Sequence, residues 1–421
     1  MTSHKIYREV LAGISTFLTI LYLFILYPQL MNAGGIDLGA AFTATVLITT
    51  LATLFMGVYG KSPIALAPGL GAGAFMVYSL AIGQQVPWPT ILGFVFWSGF
   101  VIFLISVFKL RQSLINNLPP ALRIGTIAGI GLFLICVGLK ELEIIAPDPD
   151  IFWRFIGIGG PSHIVALLSL VLLIILYQRG IAGCYILSIL FGWFIGLSWG
   201  LFPFGDIVSI TPPSLFPISM NVDLSGALQW SMFGNLLALF LINIFDTSAT
   251  LPMLTHEAQL MDEKGHIRYL NRQVMTDGPG SMLASLFGVG ILSFLVESLA
   301  GIKAGGRTGF TAIIVSILSL GALFFFPFIS SIPMFVTAPV LLMLGFLMAT
   351  EIRFLKWRDF TDLVPALLSF IVIPLTFSIY IGFALAFISF TILKALRGQS
   401  SQVHPICWII TLFFIYYFFA R

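Results

Sequence analysis

An all-α polytopic membrane protein is the fold class this sequence predicts, and three observations predict it. Apolar runs long enough to cross a bilayer recur along the whole chain. Charged residues are confined almost entirely to the short connections between those runs. The basic residues also fall on one side once the runs are laid out in order. Hydrophobic residues make up 59% of the 421 residues, charged residues 9%, and mean hydropathy is +1.06. A soluble domain carries about 45–50% apolar and about 25% charged residues.

Apolar stretches of about 17–25 residues can cross the hydrocarbon core as helices. Read in order, the expected segments are Glu9–Asn32, Leu38–Tyr59, Ile64–Leu80, Gln85–Phe108, Leu118–Gly138, His163–Tyr177 and Gly183–Leu201. Seven more follow: Ala227–Met253, Pro279–Ser293, Val296–Arg307, Gly309–Ile329, Val336–Met348, Leu363–Phe377 and Ile381–Leu396. Segments 3 and 10 are rich in glycine. The short aromatic run Ile406–Ala420 is read as an interfacial tail. The polar stretch Thr255–Asp277 is read as a cytoplasmic loop, with room for a short amphipathic helix. The first apolar run is too long for a cleaved leader and reads as a first span.

Charge tests the layout. With the N-terminus inside, all Lys and Arg except Lys140, Arg154 and the terminal Arg421 fall on the cytoplasmic side, as the positive-inside rule requires. Asp37, Glu141, Glu143, Asp148, Asp150, Asp206 and Asp223 fall outside. The net charge of +3 gives no footprint for nucleic acid, because the basic residues form no single patch. Cys136, Cys184 and Cys407 lack paired spacing and read as free thiols in apolar surroundings. No metal or cofactor is expected.

Seven plus seven passes would place two halves in opposite orientations. Leu118-Pro119-Pro120-Ala121 and Thr337-Ala338-Pro339-Val340 open segments 5 and 12, and the two glycine-rich segments hold matching positions. Paired, interrupted hydrophobic segments are the sequence pointer to a transporter's binding site. Segment 3 reads Ala67-Pro68-Gly69-Leu70-Gly71-Ala72-Gly73-Ala74-Phe75. Pro68 breaks a helix there, and the glycines either permit extended or left-handed backbone or allow close helix packing. In segment 10, Gly301 to Thr308 nearly spells a phosphate loop, but no soluble βαβ unit surrounds it and nucleotide chemistry is not expected.

Only two acids, Asp246 and Glu297, lie inside apolar stretches. A carboxylate within a bilayer costs about 2.5–3.5 kcal/mol on insertion scales, so it marks a substrate or proton pathway. Asn243, Asp246, Thr247 and Thr250 share one helical face of segment 8. A carboxylate there can accept from the N–H groups of a planar heterocycle, or carry a proton. The residues leave open which acid does which. The described motifs contain no H-E-x-x-H and no Ser/His pair at membrane depth, so an enzyme is not expected.

Pro28-Gln29, Ala67-Pro68-Gly69, Phe245-Asp246-Thr247, Glu297-Ser298 and Ala304-Gly305-Gly306-Arg307-Thr308-Gly309 occur in this order. Together they resemble the AzgA-like branch of nucleobase–cation symporter family 2 over nearly the whole chain. The resemblance implies 14 transmembrane segments in a 7+7 inverted repeat, with short strands at segments 3 and 10. It implies a core domain in residues 1–108 and 226–330, and a gate domain in 109–225 and 331–421. Proton-coupled import of adenine, guanine or hypoxanthine across a bacterial inner membrane would follow, with an N-terminus in the cytoplasm. A homodimer through gate helices is a family expectation. Asp246 and Glu297 would contact substrate or couple protons. Asn243, Thr247, Gly73, Ala74, Phe75 and Ser298 would line the substrate, with Phe75 as a stacking partner.

Three departures qualify that expectation. The branch usually has asparagine where this chain has Gly73, and aspartate where it has Asn243. It also tends to have Ser or Thr where this chain has Phe294-Leu295-Val296. The alternatives are another solute in the same fold (uracil, xanthine or an anion) and an uncoupled facilitator.

Overall fold

The computed structural model describes residues 3–111, 118–148, 152–261 and 267–419. The expectations for Asp150 and Arg421 lie outside the described residues. Nine helices among those residues are long and apolar enough to cross a membrane, and four shorter apolar helices accompany them. Cys136, Cys184 and Cys407 are all free.

Segment 1 is two helices, Ser3–Ile20 and Leu23–Ala33, with Tyr22 at the break between them. Segment 2 is Leu38–Phe55, continued by a wide turn to Gly60. Segment 3 begins with strand β1 (Leu66–Pro68), enters the half-helix Leu70–Ala74, and widens to a π-helix over Phe75–Gly83. Segments 4 to 7 are Trp88–Val107, Pro120–Glu141, Pro161–Gln178 and Cys184–Ser198. A hairpin of β2 (Ile145–Asp148) and β3 (Phe152–Phe155) joins segments 5 and 6. Segment 8 is the long helix Phe233–Glu257. Segment 10 is strand β4 (Leu292–Phe294) followed by the half-helix Ser298–Lys303. Segment 11 is Gly309–Gly321, extended to Ser330 by two short turns of helix. Segments 12 to 14 are Met334–Ala349, Phe360–Thr376 and Ile379–Leu396. The aromatic tail forms the helix Pro405–Phe419, packed on segment 14 through Thr411 and Thr391 at 2.8 Å.

Segment 9 departs from the expected Pro279–Ser293. Its helix is Leu270–Leu286, so it takes in much of the stretch read as a loop, and Ser293 belongs to β4 instead. The reason is environment. Gln273, Thr276, Asp277, Ser281 and Ser285 on this helix are all fully buried against protein. A membrane helix surrounded by protein need not be apolar, and hydropathy reads only the lipid-facing kind. Segment 9 packs along segment 4, and segments 1 and 2 pack on segment 11. Segment 5 packs on segments 12 and 13, and segment 13 on segment 14.

β1 and β4 meet antiparallel, with Leu66 opposite Phe294, Ala67 opposite Ser293 and Pro68 opposite Leu292. Gly69 N–H donates to Ile291 C=O at 3.1 Å, and Leu295 N–H to Ala65 C=O at 3.0 Å. By antiparallel alternation, Leu66 and Leu292 then turn their backbone groups away from the partner strand. Lipid offers nothing to such groups, so protein must satisfy them. The Thr53 hydroxyl accepts from Leu66 N–H and donates to Leu66 C=O, both at 3.0 Å. Leu292 N–H donates to Ser281 Oγ at 3.1 Å, and Leu292 C=O accepts from Asn243 Nδ2 at 2.9 Å. Pro68, facing Leu292, has no N–H to satisfy. The outward backbone groups of Leu66 and Leu292 are therefore paired by side chains.

Candidate functional site

Asp246 and Glu297 are both brought to β4 and the half-helix that follows it. Asp246, from the middle of segment 8, faces the Ser293 hydroxyl on β4. Glu297 sits immediately before the half-helix Ser298–Lys303, and its Oε1 accepts from Tyr22 Oη at 2.5 Å. Both acids are partly exposed, and neither forms an ion pair among the described residues. The Tyr22 ring lies 4.7 Å from that of Tyr185 on segment 7, tilted by 44°. An accepting face lined by two carboxylates and one serine suits a small ligand rich in N–H donors.

The glycines of segment 3 serve close approach. None of Gly69, Gly71 and Gly73 has positive φ, so the left-handed option is not used. A Cβ on Gly69 would strike Ser293 Oγ, the atom that reaches Asp246. A Cβ on Gly73 would lie 2.6 Å from Tyr27 Cε2. The Tyr27 ring therefore fills the volume where the resemblance expects an asparagine side chain. Ala74 and Phe75 are fully buried in the main apolar cluster, Phe75 at the start of the π-helix.

The remaining expected residues divide differently from the reading of one polar face. Ser298 Oγ accepts from Ala65 N–H at 3.0 Å and so ties segment 10 to segment 3. Thr250 donates to the carbonyl of Asp246 at 2.9 Å, within its own helix. Asn243 and Thr247 turn toward a buried ion pair that the sequence reading did not contain. Arg111 Nη2 meets Asp277 Oδ2 at 2.5 Å, with the two side chains 2% and 0% exposed. The same nitrogen reaches Thr247 Oγ1 at 2.8 Å and Asn243 Oδ1 at 3.2 Å, while Asn243 Nδ2 donates to Asp277 Oδ1 at 3.1 Å. Besides the two acids inside apolar stretches, Asp277 is fully buried in a polar stretch of sequence, and Glu9 on segment 1 is nearly as buried. Glu9 accepts from Thr311 Oγ1 and, at 3.1 Å, from Arg307 N–H.

The other motifs are structural ties. Gln29 donates to Ile332 C=O at 2.6 Å and accepts from Thr337 at 2.7 Å, joining segment 1 to segment 12. In the stretch that imitates a phosphate loop, Arg307 Nη1 donates to the carbonyls of Ile302 at 2.8 Å and Gly306 at 3.1 Å, finishing the half-helix. Tyr22 and Ser293 were missed although each left a trace: a hydroxyl inside an apolar run, and one serine four residues before Glu297. Asp277 left none, because its surroundings in sequence are polar.

The family model Xan_ur_permease, described as a permease family, matches residues 7–388. The chain belongs to this family. It is a multi-pass membrane permease and not an enzyme. An archaeal relative, the putative permease MJ0326 of Methanocaldococcus jannaschii, is 36% identical over 96% of this chain and 93% of its own. The adenine permease AdeP of Escherichia coli is 33% identical over 97% of this chain and 91% of its own. The guanine/hypoxanthine permease PbuG of Bacillus subtilis is 34% identical over 99% and 97%. Among solved structures, the transmembrane domain of the cyanobacterial bicarbonate transporter BicA superposes with a TM-score of 0.69 at 15% identity, covering 92% of this permease and 98% of that chain. SLC26A9 superposes with a TM-score of 0.68 at 12% identity, covering 94% and 66%. The likeness fixes the fold: seven plus seven segments with short strands in the third and tenth.

Proposed function

We propose that this permease imports a purine nucleobase together with protons by alternating access, with Asp246 and Glu297 as the groups that meet substrate or proton. The observation that carries the reading is the pair of partly exposed carboxylates, without cationic partners among the described residues, beside β4 and the half-helix that follows it. Relatives named adenine and guanine/hypoxanthine permeases support a purine. A purine edge presents N–H donors to carboxylates, and protonation of a carboxylate removes the charge that opposes movement through the field, worth about 2.3 kcal/mol per 100 mV. In this reading the strand crossing belongs to a core formed by segments 1–4 and 8–11, which moves against a gate of segments 5–7 and 12–14. Tyr22 and Tyr185 touch across that boundary. The N-terminus faces the cytoplasm of a bacterial cell.

An anion is the second reading, because a solved structure of this fold belongs to a bicarbonate transporter. Two carboxylates at the crossing disfavour it. The deciding experiment is uptake of labelled adenine, guanine and hypoxanthine into proteoliposomes, with and without an inward proton gradient. Gradient-driven accumulation lost in Asp246→Asn or Glu297→Gln supports symport. Uptake that ignores the gradient and survives both substitutions would leave an uncoupled facilitator. Folded protein that moves no purine would refute the purine assignment.

A further inference from the structure

We propose that the Arg111–Asp277 ion pair is the positioning element of the transport site, acting on Asp246 through the backbone of Leu292. The proposal rests on the reading of Asp246 as a site residue. Asp277 Oδ1 accepts from Asn243 Nδ2 at 3.1 Å and from Ser281 Oγ at 3.4 Å. These two side chains hold the outward C=O and N–H of Leu292, at 2.9 and 3.1 Å. Leu292 is the residue before Ser293, whose hydroxyl faces Asp246 and whose Oγ occupies the space left by Gly69. A path of hydrogen bonds thus runs from a closed ion pair to both outward backbone groups of one residue, and the hydroxyl of the next residue faces the acid.

Geometry separates this pair from the acids it serves. Arg111 and Asp277 are sealed from solvent, whereas Asp246 and Glu297 are partly open. Arg111 also donates to Val274 C=O at 3.1 Å, so the chain just after segment 4 is stitched to segment 9. Asn243 and Thr247 would then be parts of the clamp, and only Asp246 of that helical face would meet the ligand. A buried pair of this kind contributes little net stability and is better matched to holding a register.

The test uses the intact permease in nanodiscs. Removing Asp277 or Arg111 alone strands a buried charge and invites misfolding, so the primary variant is Ser281→Ala, with Ser281→Thr as the conservative rescue. Two readings are taken: amide exchange of a peptide covering 287–297, and affinity for labelled adenine, guanine or hypoxanthine. Ser281→Ala is expected to speed exchange at 287–297 while leaving 309–321 unchanged, and to weaken base affinity about 10-fold, as loss of one buried hydrogen bond implies. Ser281→Thr should restore both. Unchanged exchange, or faster exchange with unchanged affinity, would overturn the positioning role. If the wild type binds no purine while Ser281→Ala still speeds exchange, the clamp on Leu292 holds and the purine reading fails.

Discussion

Tyr22 Oη donates to Glu297 Oε1 at 2.5 Å, joining the break in segment 1 to the start of the segment 10 half-helix. The same ring packs on Tyr185 of segment 7. Tyr22→Phe keeps the ring contact and removes the donor. Hydrogen bonds to charged groups contribute about 1.5–3 kcal/mol, so the apparent KM for a transported base should rise about ten-fold or more. Tyr185→Leu, which spares the donor, should change KM less. Uptake kinetics in proteoliposomes check both, and a Tyr22→Phe protein with wild-type KM would make the bond incidental.

Gly73 and Tyr27 compete for one volume. Gly73→Ala places a methyl 2.6 Å from the ring, and overpacking of this kind costs about 1–3 kcal/mol. Melting in detergent should show the loss, and Tyr27→Ala in the same protein should relieve it. Gly73→Asn should be worse than Gly73→Ala for the same steric reason. Simple additivity of the Gly73→Ala and Tyr27→Ala effects would show that the two do not share the space.

Thr53 serves both outward groups of Leu66 with one hydroxyl. Thr53→Val preserves shape and leaves two buried backbone groups unpaired, each worth about 1–3 kcal/mol. Thr53→Ser should remain close to wild type. Comparing the thermal stability of these two variants tests whether the hydroxyl or the methyl matters.

Asp359 precedes segment 13 and stands outside the spanning helices. Bonds from the Thr361 hydroxyl and N–H, at 2.8 and 3.1 Å, hold its carboxyl below the usual value, with Lys394 and Arg397 at 3.5 and 2.8 Å adding to the effect. A depressed folded pKa stabilises above the unfolded pKa of 3.8 and is lost as pH falls through the lower folded value. Asp359→Ala should therefore lower the melting temperature at neutral pH, and the gap from wild type should close as pH drops below about 4. A gap independent of pH would assign the effect to something other than the charge.

Most of the fold was legible because lipid enforces it: a helix facing hydrocarbon must be apolar and about 20 residues long. Segments 2, 4 and 11 were read close to their observed ends for that reason. Segment 9 was misplaced because Asp277, Ser281 and Ser285 face protein, and a polar residue in a sequence does not reveal whether water or a partner surrounds it. The acids of the site were legible as exceptions to the lipid rule. The partner of Glu297 was not, since Tyr22 approaches from far away in sequence, and nothing local announces a contact across 275 residues. The glycines were legible as special, but close approach and left-handed backbone leave the same letter in the sequence.

Ser293 and Glu297 lie on one short stretch, and each meets a different element: Ser293 faces Asp246 of segment 8, Glu297 is bonded to Tyr22 of segment 1. The two carboxylates therefore cannot be tuned apart. A displacement of β4 that loosens one must be felt at the other, so whatever binds at either end sends its message through a single ribbon of five residues.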